Sequence, residues 1–457
     1  MPEYTTTIAA VSTPPGKGGV ALIRLSGENA AAIAERVFVP VFGKGLSERP
    51  PRTAVYGRFL SDGVTVDDGM ALFFPAPHSY TGEDTVEFTC HGGRLVTHVI
   101  LESLFSAGAE PATAGEFTRR AFLNGKLSLS KAEAIGTLLE AKSRAQILLS
   151  AGRDRLSDQL DALYREAVTL LSNSEAAIDF PEEDLAEMTK EEQLRATEEL
   201  ADRGTQLAAT YRTGRAVSEG IPTVICGRPN VGKSTLYNLL LGEEAAIVSE
   251  TAGTTRDVLE RNVSLGRVLL RLYDTAGIRE TADPVERIGV ERARRALSGA
   301  SLIFAVFDRS EPLRDEDREL IAALKELPAV RIAILNKSDL PGKLDEAELT
   351  DAFPYTVTLS AQSGSAEALS VLTDRLFTDE TLTLGDDAIV FSARQHAALS
   401  RAAEHLTAAC TLLREGYPAD MTGEEMREAL ASLGQTNGRE VNEDVVAEIF
   451  SHFCVGK

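Results

Sequence analysis

The sequence predicts a multidomain α+β chain with an α/β unit: an N-terminal α+β domain, a helical bundle domain, and an inserted α/β domain with a mainly parallel sheet. Three observations predict it. Short apolar runs between Gly, Pro and Thr give way near Lys126 to leucines at helical spacing. Strands then alternate with helices from about residue 216, and a helical pattern returns near residue 383. The length of 457 residues agrees with about three domains at about 150 residues each. The predicted boundaries are 1–118, 119–215 together with 383–457, and 216–382.

In the first domain, GGVALIRLSG, GMALFFP and DTVEFTC are apolar runs bounded by turn residues, the pattern of strands. Between them ENAAAIAERVF, with Ala31, Ile33, Ala34 and Val37, has helical spacing. In the second domain Leu149, Leu156, Leu163 and Leu170 fall on a seven-residue repeat, with Leu160 and Ala167 beside them. This reads as the seam of one long helix in a bundle. DFPEEDL, with Pro181, ends it, and Thr189 followed by Glu192 forms a capping box for the next helix. TGRAVSEGIP (213–222) reads as a linker. Beyond it PTVIC, RVLLRLYD, SLIFAVFD, VRIAILN and YTVTLS are strands separated by helical segments, which predicts a parallel sheet with crossovers. Domain termini usually lie close together, so the flanking helices form one bundle with the α/β unit inserted.

Composition narrows the function classes. Hydrophobic residues make up 43% and charged residues 25%, ordinary globular values that exclude wholesale disorder. Lys and Arg number 47 against 69 Asp and Glu, a net charge of −22. Any nucleic-acid contact therefore needs a local basic patch or a partner. The four cysteines, Cys90, Cys226, Cys410 and Cys454, form no C-x-x-C pair, so neither a disulfide framework nor a zinc site is expected. The N-terminus has no basic segment followed by an apolar one, and no run reaches about 18 apolar residues. The expected location is cytoplasmic, with no membrane contact.

The chemistry-bearing motifs lie in the α/β unit. Gly227-Arg-Pro-Asn-Val-Gly232-Lys233-Ser234 follows the strand TVIC and opens a helix. In that context a G-x-x-x-x-G-K-S loop wraps backbone N–H groups around phosphate oxygens. Asn230, Val231, Gly232, Lys233, Ser234 and Thr235 are the candidate phosphate residues. Lys233 serves the β- and γ-phosphates and Ser234 ligates Mg²⁺. Asp274, Thr275, Ala276 and Gly277 close the strand RVLLRLYD; the carboxylate supports the magnesium shell and the Gly277 N–H reaches a γ-phosphate. Asn336, Lys337, Ser338 and Asp339 follow RIAIL. A carboxylate offers two acceptor oxygens to the two adjacent N–H donors of guanine, a pair adenine lacks, so Asp339 selects the base. Ser360 and Ala361, after YTVTL, close over guanine. Each motif sits at a strand's C-terminal end, where open α/β sheets bind ligands. GTP with Mg²⁺ is the predicted ligand.

Ser249, Glu250, Thr251, Ala252, Gly253, Thr254 and Thr255 lie between these motifs. A Thr hydroxyl here completes the Mg²⁺ sphere while γ-phosphate is present and releases on hydrolysis; Thr255 is the candidate. Where many regulatory GTPases carry a water-orienting Gln after D-x-x-G, this chain has Ile278. Water and transition-state charge must therefore be handled by other groups.

GRPNVGKST, TAGTTRD, DTAGIRE, NKSD and the final Cys454-Val-Gly-Lys457 closely resemble the MnmE (TrmE) family of tRNA-modification GTPases. The resemblance extends to TPPGKGGVALIRLSG, SYTGEDTVEFTCHGG, GEFTRRAFLNGKLSLSKAEAI and AAIDFP, and is weakest over ADMTGEEMREALASLGQTNGREV. It implies an N-terminal folate-binding and dimerisation domain, a helical domain and an inserted Ras-like P-loop GTPase domain. It implies addition of an aminomethyl or carboxymethylaminomethyl group at carbon 5 of the wobble uridine of tRNA. The implied partners are a second copy of the chain and the flavoprotein MnmG (GidA). The implied cofactors are a tetrahydrofolate derivative, in the 5-formyl or methylene form, and K⁺.

The resemblance also assigns roles. K⁺ in place of an arginine finger implies ligands at Asn230, Ser249, Thr251 and Thr254; a cation there offsets developing phosphate charge. The water-orienting acid becomes Glu286, which by itself reads as a solvated helix residue. Folate contacts become Arg24, Glu87, Lys126 and Lys457, and Cys454 becomes a catalytic residue, as nucleophile or as acid. The apolar flank EIFSHFCV alone reads instead as burial of Cys454. The other class of function, a ribosome-assembly GTPase of the Era or Der type, would need a basic RNA-binding module that this acidic chain does not display.

Overall fold

Seven strands form one sheet in the first compact unit, in the order β3-β4-β5-β6-β2-β1-β7. The computed structural model describes residues 6–179, 188–243, 260–273 and 297–456. These divide into two compact units, 1–136 with 431–457, and 137–430.

In the first unit β1 (Ile8–Val11), β2 (Val20–Ser26), β3 (Phe38–Pro40), β4 (Val55–Ser61), β5 (Val64–Phe74) and β6 (Thr85–His91) pair antiparallel. Only the short β7 (Glu110–Pro111) is parallel to its neighbour β1. Helices α1 (Ala30–Val37) and α2 (Arg94–Ser106) pack on the sheet. Of the apolar residues expected on the inner side of α1, Ile33, Ala34 and Val37 are buried there with Ile23, Leu25, Phe88 and Leu104, whereas Ala31 is half-buried and Ala30 is buried in its stead. Rings of Phe38, Phe59 and Phe88 meet in that core with centroids 5.1–5.8 Å apart, an arrangement that adds to their area burial. Helix α3 (Glu116–Leu123) follows. Leu129 and Ala132, at the start of α4 (Leu129–Leu139), pack against Val446 and Phe450 of the last helix and against Phe453.

The second unit begins with α5 (Arg144–Ala151) and α6 (Arg153–Asp179). The expected single helix through Leu149 and Leu156 is thus two, because the chain turns at Gly152. The leucine seam survives the break: Leu149, Leu156, Leu160, Leu163, Ala167 and Leu170 are all buried. The DFPEEDL segment lies outside the described residues from Phe180. Thr189 and Glu192 form the expected capping box at the start of α7 (Lys190–Ala209). TGRAVSEGIP is not a linker. Its first part lies in α8 (Tyr211–Ser218) and its end begins strand β8. Ala216 and Val217 bury the apolar side of α8, and Arg215 pairs with Glu219 one turn on.

A six-stranded sheet follows, in the order β13-β12-β11-β8-β10-β9. Strands β8 (Ile221–Cys226), β10 (Val268–Tyr273), β11 (Leu302–Asp308), β12 (Val330–Asn336) and β13 (Tyr355–Thr358) run parallel, and β9 (Glu260–Leu265) forms an antiparallel edge. Every residue of β11 is buried, Phe304 and Val306 in one core, Ile303 and Phe307 in another. A run this apolar is what a strand covered on both faces requires. Helices α9 (Lys233–Glu243), α10 (Asp315–Lys325) and α11 (Glu367–Phe377) are the described crossovers and flank. The chain returns to helix in α12 (Ala393–Glu415), which packs on α7, and continues in α13 (Ala419–Asn437) and, within the first unit, α14 (Glu443–Ser451).

The incoming helix α8 and the outgoing segment before α12 touch. Thr213 Oγ1 accepts from Asp379 N at 2.8 Å, and Thr210 Oγ1 from Val390 N at 2.9 Å. A Cβ at Gly214 would lie 1.9 Å from the Val390 carbonyl oxygen, so only glycine permits this approach.

Candidate active site

Strand β8 ends in the phosphate loop. Three residues of Gly227–Ser234 need positive φ: Gly227 at 149°, Asn230 at 65° and Gly232 at 101°. A Cβ on Gly232 would fall 2.1 Å from Asn336 Nδ2, so the second motif glycine makes room for the guanine motif. Lys233 Nζ donates to the carbonyls of Gly227 and Arg228, each at 2.8 Å, which holds the ammonium over the loop. Val231 is fully buried and anchors the loop, while Asn230, Ser234 and Thr235 are exposed on it. Ser234 lies in the first turn of α9, where helix N–H groups and dipole favour phosphate.

Asn336, 3% exposed at the end of β12, connects three loops. Its Nδ2 donates to Val231 O at 2.8 Å and its Oδ1 accepts from Ala361 N at 2.9 Å. The phosphate loop, the guanine motif and the Ser360–Ala361 loop are thereby one assembly. Asp339, Ser338 and Ser360 line an open cavity of about 820 Å³, together with Ser363 and Val371. That volume accepts a purine, and Asp339 presents its exposed carboxylate to it.

Lys337, at φ 64°, turns its ammonium onto Asp308 Oδ2 at 2.6 Å. Burial pushes the Asp308 carboxyl up, but the Lys337 ammonium and the Ser310 N–H and hydroxyl outweigh it and hold it below the ordinary range. Asp308 therefore stays ionised at the end of β11, beside the phosphate loop's strand. The sequence reading missed Asp308, and it missed Arg228, Glu311 and Asp317, which pair across 83 to 89 residues. Nothing in the sequence pattern marks such partners.

Ser249, Glu250, Thr251, Ala252, Gly253, Thr254, Thr255, Asp274, Thr275, Ala276, Gly277, Glu286 and Lys457 lie outside the described residues.

A second cluster is in the N-terminal sheet. Arg24 and Glu87 face each other across β2 and β6, and Arg24 donates twice to Glu87 Oε1, at 2.8 and 2.9 Å. The guanidinium carbon lies 5.1 Å from the Tyr80 ring centroid and 5.6 Å from that of Phe117. Lys126 is separately engaged, with Nζ donating to Pro77 O at 2.8 Å. The chain's last described residues dock on the same unit: Ser12 Oγ donates to Gly456 O at 2.8 Å, and Val455 bridges Ala114. Cys454 is exposed, against the burial its apolar flank implies, while burial pushes the Cys90 and Cys410 thiols up to about 11. Among the four thiols Cys454 is the solvent-facing one.

Residues 7–126 match the family described as GTP-binding protein TrmE N-terminus, and residues 129–454 match the MnmE helical domain. The tRNA modification GTPase MnmE of Lactiplantibacillus plantarum is 41% identical over all of this chain and all of its own length. The protein of that name from Enterococcus faecalis is 41% identical, over 99% of this chain and 98% of its own. That of Clostridioides difficile is 37% identical over 99% of each. With the G-x-x-x-x-G-K-S and N-K-S-D loops joined at the ends of one mainly parallel sheet, the chain is a P-loop GTPase, and it belongs to the MnmE (TrmE) family of tRNA modification GTPases.

Proposed function

We propose that this chain is the GTP-hydrolysing subunit of a tRNA modification complex that adds an aminomethyl or carboxymethylaminomethyl group at carbon 5 of the wobble uridine. Its partners are a second copy of the chain, the flavoprotein MnmG and tRNA. The working division is 1–118, 119–215 with 383–457, and 216–382. The observation that carries the reading is the docking of Cys454–Gly456 beside β1, whose neighbour β2 holds Arg24. An exposed thiol, a charged pair and two aromatic rings thus share one compact unit.

The residues suit the groups they would hold. Glu87 offers a carboxylate to the adjacent N–H groups of a pterin, and Arg24, Lys126 and Lys457 offer cations to the carboxylates of a folate tail. A reduced folate bound there supplies the one-carbon unit. In the α/β unit Ser234 offers its hydroxyl to Mg²⁺ with Thr255, and Asn230 offers its exposed amide oxygen to K⁺ with Ser249, Thr251 and Thr254. Glu286 orients water where Ile278 cannot. Lys233 binds the β- and γ-phosphates, and Asp339 fixes the base.

Reconstitution tests this directly. Chain, flavoprotein partner, tetrahydrofolate derivative, GTP and unmodified tRNA are expected to yield the modified nucleoside by mass analysis. A wobble uridine left unchanged, with GTP consumed, would overturn the modification reading and leave the GTPase intact.

A further inference from the structure

We propose that Arg228 is a positioning residue for the phosphate cradle, held by a two-carboxylate clamp that lies outside the phosphate-loop motif itself. The inference rests on reading Gly227–Ser234 as the phosphate loop.

The Arg228 side chain is 8% exposed. Its Nη2 donates to Glu311 Oε2 at 2.6 Å and its Nε to Asp317 Oδ2 at 3.2 Å. Asp317, in the first turn of α10, is 3% exposed, and its Oδ2 also accepts from Arg314 N at 3.0 Å. Its Oδ1 is buried with no hydrogen-bond partner, so the contacts that compensate this buried carboxylate converge on Oδ2. Glu311 takes a second cation, Arg314 Nη2 at 2.8 Å.

Removing two ions from water offsets most of their attraction, so a buried ion pair is a weak source of stability. What this pair supplies is direction. The main chain of Arg228 already serves the site, because its carbonyl accepts from Lys233 Nζ at 2.8 Å. A side chain anchored outward sets the peptide whose oxygen holds that ammonium inward. The segment 308–317 is also gripped at its other end, where Lys337 of the guanine motif pairs with Asp308. One loop therefore braces the phosphate loop and the base motif against a common support.

The test is calorimetric titration of the full chain with GDP and with IDP, which lacks the exocyclic amine read by Asp339. Arg228→Ala should weaken GDP about tenfold or more, as small misplacements in a preorganised site do. The GDP-to-IDP affinity ratio should stay at the parent value, because the base carboxylate is untouched. Glu311→Gln should weaken GDP in the same direction by less, and adding it to Arg228→Ala should do no further harm. If Arg228→Ala does not fold, judged by circular dichroism, Arg228→Lys and Glu311→Gln carry the test. GDP affinity within twofold of the parent in the folded variants, or a collapsed base ratio, would overturn the inference alone. A parent chain that takes up no GDP would remove the phosphate-loop reading as well.

Discussion

Asn336 concentrates three loops into one side chain, and its loss should be correspondingly costly. Asn336→Ala leaves the Ala361 N–H and the Val231 carbonyl unpaired in a buried place. Such a deletion costs about 1–3 kcal/mol for each stranded group. We expect a lower thermal midpoint and weaker binding of every guanine nucleotide, readable by calorimetry; intact affinity would contradict the assembly. Asn230 tests the cation. Hydrolysis should run several-fold faster in potassium than in sodium, and Asn230→Ala should erase the difference. Equal parent rates in the two salts would remove Asn230 from that role. At this scale the sequence was most informative where chemistry needs a fixed spacing. The G-x-x-x-x-G-K-S loop and N-K-S-D stand in order on the chain and together in space. Arg228, Asp317 and Glu311 were illegible, because a charged residue in a sequence reads as solvated until its distant partner is known. The opposition of Arg24 and Glu87 was equally hidden, being a matter of register between β2 and β6.

Elements were legible in proportion to how strongly burial patterned them. Strand β11 is apolar along its length except for Asp308 and is buried throughout. The split between α5 and α6 is hidden in the sequence because the leucine repeat runs straight across Gly152. Helix α8 reads as a linker in the sequence because its Gly, Ser and charged residues hide a narrow apolar stripe, Ala216 and Val217. Its Gly214 offers a test: Gly214→Ala drives a methyl into the Val390 carbonyl and should lower the thermal midpoint, whereas an unchanged midpoint would mean the contact is looser than it stands. Helix α3 carries a pH prediction. Burial raises the Glu116 carboxyl, but the Thr113 N–H and hydroxyl and the Arg120 guanidinium outweigh it, so it titrates below its ordinary 4.5. A lowered folded value means its stabilising contribution is complete above the unfolded value and disappears as pH falls through the folded one. The protection factors of α3 amides, corrected for the intrinsic exchange rate at each pH, should therefore fall as acidification passes below the ordinary carboxylate value of 4.5, and less so in Glu116→Gln. Identical acid profiles in the two proteins would refute this.

For the whole molecule, insertion is the organising fact. The chain leaves the bundle through α8, builds the six-stranded sheet, and returns beside its point of departure. Replacing residues 221–376 by a short glycine-serine loop should thus leave the bundle helices folded, as far-UV circular dichroism and a cooperative melt would report. A collapsed or molten product would show that the bundle depends on its guest. The passage from helices into an α/β sheet and back into helices was readable from changes in periodicity. The C-terminal residues 431–457 joining the first compact unit was not, since one helical pattern runs through residues 419–437.

Asn336 is welded into the loops, but Asp339 only faces the cavity from an exposed position. Base choice can therefore be rewritten without disturbing the phosphate grip. Asp339→Asn swaps one acceptor for a donor and should shift preference toward xanthosine nucleotides. Such a protein would be deaf to the guanosine pool of a crude extract and answer to a reagent added by hand, so its cycle could be started at will among its natural partners.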